Sequence, residues 1–195
     1  MAYTTVLFDL DHTLFDFDAA EDLAFDDTLR SAGVGEPSSV RPVYDRINRA
    51  LWDAVERHEI TPPVVRNARF EQLAAALGLD ADPVTLADRF AAGLASFGDL
   101  YPGARELLGR IAAHARLGLV TNGLREVQRP RIERLGIGYY FDAIVVSAEV
   151  GVSKPSPAIF ELALEGLGRP DRRSTVMVGD SLSSDIRGGH AAGLA

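Results

Sequence analysis

The chain has 195 residues, 47% of them apolar, and a net charge of −8. That is enough for one large domain, or a core with a smaller one inserted, around a real apolar interior. The acidic balance and the lack of any Lys/Arg block argue against nucleic-acid binding, no apolar run could span a bilayer, and without cysteine there is no disulfide, thiol catalysis or thiolate metal site. Met1-Ala2-Tyr3-Thr4 lacks a signal peptide's charged and apolar regions, so a cytoplasmic protein is expected, with no membrane surface and no protein partner. Of the 20 Lys and Arg residues only Lys154 is a lysine.

Val6-Leu7-Phe8 reads as a short buried strand, and Asp9 and Asp11 come where it should run out. Residues two apart on an extended chain point the same way, so two carboxylates converge at a strand's C-terminal end, where open α/β sheets bind ligands. Like charges so placed need a cation or a shared proton. From Phe17 to about Phe97 the pattern is helical. One helix covers Phe17–Ala32, and a second carries Val40, Val43, Ile47, Leu51 and Val55, with Pro42 tolerable only in its first turn. Thr61-Pro62 starts a third, with Phe70, Leu73, Ala74 and Leu77 as its stripe and Gly78 as its end; Asp82-Pro83 starts a fourth, carrying Ala87, Phe90, Leu94 and Phe97. A wholly helical block after a single strand is an insertion, which predicts a helical cap over 16–98 and a core of 1–15 and 99–195.

After Pro102-Gly103 the chain alternates. Ala104, Leu107, Leu108 and Ile111 predict a helix, Leu117–Thr121 a strand, and the stretch to Leu135 a helix in which Pro130 belongs only in the first turn. Ala143–Ser147 is a third strand, Ser156-Pro157 opens a helix with Phe160, Ala163, Leu164 and Leu167, and Thr175–Val178 is the last strand. The fold class is α/β, a doubly wound parallel sheet of Rossmann-like form with an inserted all-α cap.

Every later strand ends in a polar residue of a different kind. Thr121-Asn122-Gly123 offers a hydroxyl and turn N–H groups that suit a phosphate oxygen, although Thr121 could instead cap the next helix. Lys154, before Pro155, is a compact charge that could sit between phosphate and carboxylate or be a solvated surface lysine. Asp180, with Asp185 about one helical turn on, adds hard oxygen donors of the kind Mg²⁺ takes, or caps the last helix. In a parallel sheet all these ends share one edge, so a hydroxyl, a cation and several carboxylates meet there.

In their order and spacing, Asp9-Leu10-Asp11-His12-Thr13, Thr121-Asn122-Gly123, Lys154-Pro155 and Gly179-Asp180 through Asp185 resemble the four motifs of the haloacid dehalogenase superfamily. The helical block is similar to that family's small cap. Ile60-Thr61, Arg69-Phe70, Glu149-Val150-Gly151 and the Thr121–Gln128 stretch are similar to its house-cleaning pyrimidine 5′-nucleotidases. Family members continue past the position of Ala195 with one or two further strands and a helix, so the C-terminal edge of the core is expected to be missing.

The resemblance implies a Mg²⁺-dependent phosphomonoesterase acting on a small phosphorylated metabolite. Asp9 is then the nucleophile and Asp11 the general acid/base. Thr121, Asn122 and Lys154 hold the phosphate, while Asp9, the Asp11 backbone carbonyl and Asp180 hold the metal with Asp185 in support. A nucleoside monophosphate is the expected substrate, and a sugar phosphate or phosphoglycolate the alternative. A dehalogenase would not need Asp11, family mutases usually have Gly-Val where this chain has His12-Thr13, and a non-catalytic binding module would not need the full charged set. Phe17, Trp52 and Phe70 are candidates to stack on a base, and Arg69 falls off the apolar stripe, where it is either solvated or reaches toward substrate.

Overall fold

A computed structural model of the chain describes residues 3–57 and 59–195. Four parallel strands, β1 (Thr5–Phe8), β2 (Arg116–Thr121), β3 (Ala143–Val146) and β4 (Thr175–Val178), form a sheet in the order β3-β2-β1-β4. Helices α1 (Phe17–Ser31), α2 (Pro37–Glu56), α3 (Pro62–Leu77) and α4 (Pro83–Ser96) all fall between β1 and β2. They are followed by α5 (Ala104–Ala112), α6 (Arg125–Leu135), the single turn α7 (Ser147–Val150), α8 (Pro157–Gly166) and α9 (Arg187–Ala191).

Alternation along the strands builds two separate cores. Val6, Phe8, Leu117 and Leu119 face one side, against Leu108 of α5 and Ile132 and Leu135 of α6. Leu7, Val120, Val145 and Met177 face the other, against Ile159, Phe160 and Ala163 of α8. Helices on both faces make the sheet doubly wound. A side chain at Gly118 would strike both Leu7 and Leu167, so a strand-weakening glycine is kept inside β2 by close packing. On the open side of β4, Ala195 continues the hydrogen bonding: Met177 N–H donates to Ala195 O at 3.1 Å, and Ala195 N–H to Thr175 O at 3.1 Å.

A third apolar cluster lies within the helical insertion, with Phe25, Leu29, Tyr44, Ile47, Phe70, Leu73, Leu86, Phe90 and Leu94 at its centre. Leu124 and Val127, at the start of α6, complete it from below. The chain leaves and rejoins the sheet through two paired segments, with Phe15 bridged antiparallel to Leu100 and Tyr101 N–H donating to Leu14 O at 2.9 Å. No helix among the described residues is long and apolar enough to cross a membrane.

Four local expectations are corrected. Pro42 and Pro130 lie inside α2 and α6, each as the sixth residue and past the first turn. Both prolines are exposed, as are Ser38 and Glu126 four residues earlier, so the carbonyls that lose a helical partner can turn to water. Ser147 starts α7 and does not extend β3. Leu107 lies on the outer side of α5, 43% exposed, and outside the apolar stripe.

Candidate active site

The register sets the site. Phe8 is level with Leu119 on one neighbour and Val178 on the other, so while β2 continues two residues further, to Thr121, β1 and β4 run out together. Asp9 follows directly, its N–H donating to Val178 O at 2.9 Å. The chain then turns sharply, with His12 in the left-handed region at φ +61°, a conformation a non-glycine residue holds only where its surroundings fix it. This turn separates the two aspartates in their bonding while leaving both on one cavity of about 430 Å³.

Asp9 is buried, and its Oδ1 accepts from Lys154 Nζ at 2.5 Å. The same ammonium group lies 2.6 Å from Asp185 Oδ1. Burial pushes the Asp9 carboxyl up to about 7; Lys154 opposes this, whereas Asp185 and then Asp11 add to it. Burial works against the charge on Lys154, but Asp9 and Asp185 outweigh it and raise its pKa. The lone lysine is therefore a fully charged group inside the protein and not a solvated one. Its backbone is clamped by Asn122, whose Oδ1 accepts from Lys154 N–H at 2.8 Å and whose Nδ2 donates to Lys154 O at 2.9 Å.

Asp180 is exposed at the cavity, and Asp185 is buried behind it. Ser181, not Asp180, caps the following π-helical turn (Leu182–Ile186), and its N–H donates to Asp185 Oδ2 at 3.1 Å. A side chain at Gly179 would collide with the Asp185 carboxylate, so glycine is required for that group to reach the strand end. Carboxylate oxygens of Asp9, Asp180 and Asp185 all lie within 4.8 Å of one another. Three hard oxygen donors beside a single ammonium group, which contacts Asp9 and Asp185, leave negative charge in excess, and a divalent cation fits that excess. Asp185 thus stands in the cluster itself, closer than the supporting place expected for it. The Asp11 carboxylate is turned elsewhere.

Asp11 accepts from Gln128 Nε2 at 2.8 Å and from Arg131 Nη1 at 2.5 Å. Gln128 Nε2 also reaches Thr121 Oγ1 at 3.1 Å, so the Thr121 hydroxyl is tied to the same network. Thr121 is buried and not among the residues lining the cavity, and Leu124 is the N-cap residue of α6 in its place. Arg131 is fully buried, lies 4.2 Å over the Phe15 ring, and donates to Leu94 O at 2.7 and 3.0 Å. Arg134 does the same one turn on, bonding Ala95 O, Phe97 O and Gly98 O. Two arginines of α6 therefore satisfy the orphan carbonyls at the end of α4 and pin the helical insertion to the strand ends.

Gln128 and Arg131 have no motif of their own. Their signal was the i, i+3 spacing that puts both on one face of α6, the face carrying Val127. On the cap side, Phe17, Trp52 and Arg69 line the cavity, whereas Phe70 does not and belongs to the interior of the cap cluster. Arg69 is only 3% exposed, so the expectation of a solvated arginine fails: the fourth α3 residue beyond Val65 packs inward, over Phe90.

Residues 3–193 match the haloacid dehalogenase-like hydrolase family. The chain belongs to it. Pyrimidine 5′-nucleotidase YjjG of Escherichia coli is 38% identical over 195 residues, all of this chain and 85% of the relative. Pyrimidine 5′-nucleotidase PynA of Streptococcus pneumoniae is 36% identical, over all of this chain and 82% of the relative. Among solved structures, the magnesium-bound HAD-hydrolase YfnB of Bacillus subtilis superimposes with a TM-score of 0.90 at 34% identity, covering this chain completely and 85% of its own. This haloacid dehalogenase-like hydrolase is accordingly an enzyme, of the phosphatase kind.

Proposed function

We propose that this hydrolase cleaves a nucleoside monophosphate, preferably a pyrimidine one, with Mg²⁺ and through a phosphoryl group carried on Asp9. The observation that supports it most is the division of labour between two carboxylates on one cavity: Asp9 lies among Lys154, Asp180 and Asp185, whereas Asp11 is held apart by Gln128 and Arg131. On this reading Asp9 meets phosphorus and Asp11 meets the leaving group on its far side.

In the first step an Asp9 oxygen attacks phosphorus in line, the ester P–O bond breaks, and its electron pair leaves on the departing oxygen, which takes a proton from Asp11. In the second, Asp11 removes a proton from water as that water attacks phosphorus. The bond to Asp9 breaks, the Asp9 carboxylate is restored, and inorganic phosphate is released. Asp9, Asp180 and Asp185 would hold the metal, with the Asp11 backbone carbonyl, and the bound cation supplies charge that offsets repulsion between carboxylate and phosphate dianion. Lys154 and the Asn122 backbone N–H stabilise the transferring oxygens; the Asn122 side chain fixes Lys154, and Thr121 acts through Gln128. Arg131 and Gln128 orient Asp11.

Residues 16–98 act as the cap, excluding bulk water and choosing the leaving group over a core of 1–15 and 99–195. The cavity is within the range of small-molecule sites, roughly 300–1,000 Å³, and the nucleotidase names of two full-length relatives favour a nucleotide in it. The test is inorganic phosphate release with Mg²⁺ from dUMP, dTMP, AMP, glucose 6-phosphate and phosphoglycolate. The pyrimidine nucleotides should give the highest kcat/KM, and a chelator should stop release. Glucose 6-phosphate or phosphoglycolate outrunning every nucleotide would replace the substrate while leaving the chemistry.

A further inference from the structure

The cap wall of the cavity carries a polar cluster that the reaction does not use. Glu21 of α1 is buried at its centre and accepts from Arg41 Nη2 at 2.7 Å, Tyr44 Oη at 3.0 Å and Asn48 Nδ2 at 3.3 Å. Arg41 is further held by Asp22 and Asp45, so this carboxylate and its cation are fully employed within the cap.

Asn48 and Arg69 are not. The Asn48 amide is oriented by Glu21, since exchanging its two ends would set a carbonyl oxygen against a carboxylate. That leaves its Oδ1 buried and with no donor among the described residues. A buried acceptor without a donor costs on the order of 1–3 kcal/mol, and such a group in a native fold calls for a partner of some kind. Arg69 uses Nε on Val65 O at 3.3 Å and Nη1 on Tyr44 Oη at 3.2 Å, with its face 5.2 Å from the Phe90 ring centre. No carboxylate lies within ion-pair distance of it among the described residues, and a guanidinium carries further N–H donors beyond these two. Both residues line the cavity, beside the apolar surfaces of Phe17, Trp52, Val55 and Leu94.

We propose that Asn48 and Arg69 together read the edge of the leaving group, and that this edge is an imide, the C(=O)–NH–C(=O) unit of a uracil or thymine ring. The assignment rests on the nucleotide reading above and deepens it. A ring carbonyl oxygen can accept from the Arg69 guanidinium, and the ring N–H next to it can donate to the amide oxygen of Asn48. An anionic group would suit Arg69 but would face the Glu21 carboxylate and the Asn48 oxygen. A purely apolar group would leave both polar residues unmet. The flat apolar walls take the ring faces.

The experiment compares kcat/KM for dUMP, its N3-methyl derivative and 2-deoxyribose 5-phosphate, in the wild type and in Asn48→Ala, at fixed Mg²⁺. A site built around a hydrogen bond rejects an analogue lacking it, so the wild type should prefer dUMP to N3-methyl-dUMP by at least about tenfold. Asn48→Ala should lose most of that preference, and should lose at least about fivefold more on dUMP than on the base-free sugar phosphate. Equal wild-type rates on dUMP and N3-methyl-dUMP would overturn the assignment, with or without a folded variant. So would a variant that keeps the preference, or one that falls equally on all three substrates. A wild type that prefers 2-deoxyribose 5-phosphate to dUMP would instead fail the nucleotide reading itself and take this assignment with it.

Discussion

At the strand ends, carboxylates of Asp9, Asp180 and Asp185 cluster together and two of them, Asp9 and Asp185, share one ammonium group, Lys154; at the cap end, one carboxylate, Glu21, is met by three donors. Asp9 and Glu21 are both buried, and both have raised pKa values with burial as the leading cause. They differ in what surrounds them. Around Asp9 one cation, Lys154, opposes the rise and two carboxylates, Asp185 and Asp11, add to it, whereas around Glu21 the Arg41 cation, the Tyr44 hydroxyl and Arg69 pull it back and Asp45 adds to it. Charge left in excess marks a place built to receive a cation and a phosphate, and charge that is satisfied marks a scaffold. Within the scaffold, Asn48 and Arg69 are the groups proposed to meet substrate.

The largest effect outside the nucleophile should come from Asp11→Ala. General acid–base assistance is worth roughly 10²–10⁴-fold, so hydrolysis of dUMP should fall by about that much. With p-nitrophenyl phosphate the leaving group needs little acid, so the first step should persist and the second should stall, and a phosphoenzyme should build up in rapid-quench samples. If both substrates slow equally and no phosphoenzyme is trapped, Asp11 has no acid/base part and the contrast between the two carboxylates at this end is lost.

Lys154→Arg should have a smaller effect. Nζ is a point charge 2.5 Å from Asp9 and 2.6 Å from Asp185, a slot that a planar guanidinium does not match. A loss of at least about tenfold in kcat/KM is expected, roughly 1.4 kcal/mol of transition-state stabilisation. A variant as active as the wild type would mean that charge alone, without shape, suffices there.

The smallest effect concerns stability at the cap end. Because folding raises the pKa of Glu21 above its ordinary 4.5, the folded state keeps a proton that the unfolded chain has already released. Bound protons are then fewer in the unfolded state, so this group's contribution to stability declines as pH rises from about 4.5 through the folded value, and levels off above it. Glu21→Gln cannot ionise and should show a shallower decline across that window. Urea midpoints measured from pH 4 to 8 on both proteins check it; parallel curves would mean that Glu21 is not a strained acid in the fold.

The two ends also differ in how far the sequence reveals them. Asp9, Asn122, Lys154, Asp180 and Asp185 each follow a strand or lie in a turn after one, and a parallel sheet delivers strand ends to one edge whatever the details of packing. Their meeting is therefore legible in the order of strands and motifs alone. Glu21, Tyr44, Asn48 and Arg69 come from three helices, and their meeting depends on how those helices rotate against one another, which periodicity does not settle. Arg69 shows the limit: it falls off the apolar stripe of α3, yet it is buried because Phe90 of α4 and Tyr44 of α2 close over it. Arg131 is hidden for a different reason. Its partners are Asp11 and the Leu94 carbonyl, 120 and 37 residues away, and a backbone acceptor at the end of another helix leaves no mark in side-chain sequence. The prolines mislead because exposure of the freed carbonyl, invisible in sequence, decides whether a helix tolerates them.

The most direct test of the account is the covalent one. Enzyme mixed with dUMP and Mg²⁺ and quenched in acid within milliseconds should carry one phosphoryl group, a gain of about 80 Da by intact mass, located by peptide mapping to Asp9 as an acyl-phosphate intermediate. Asp9→Asn should carry none and release no phosphate, while keeping the far-UV spectrum of the wild type. A phosphoryl group found on another residue, or Mg²⁺-dependent turnover by Asp9→Asn at the wild-type rate, would contradict the assignment of the strand-end site to this chemistry.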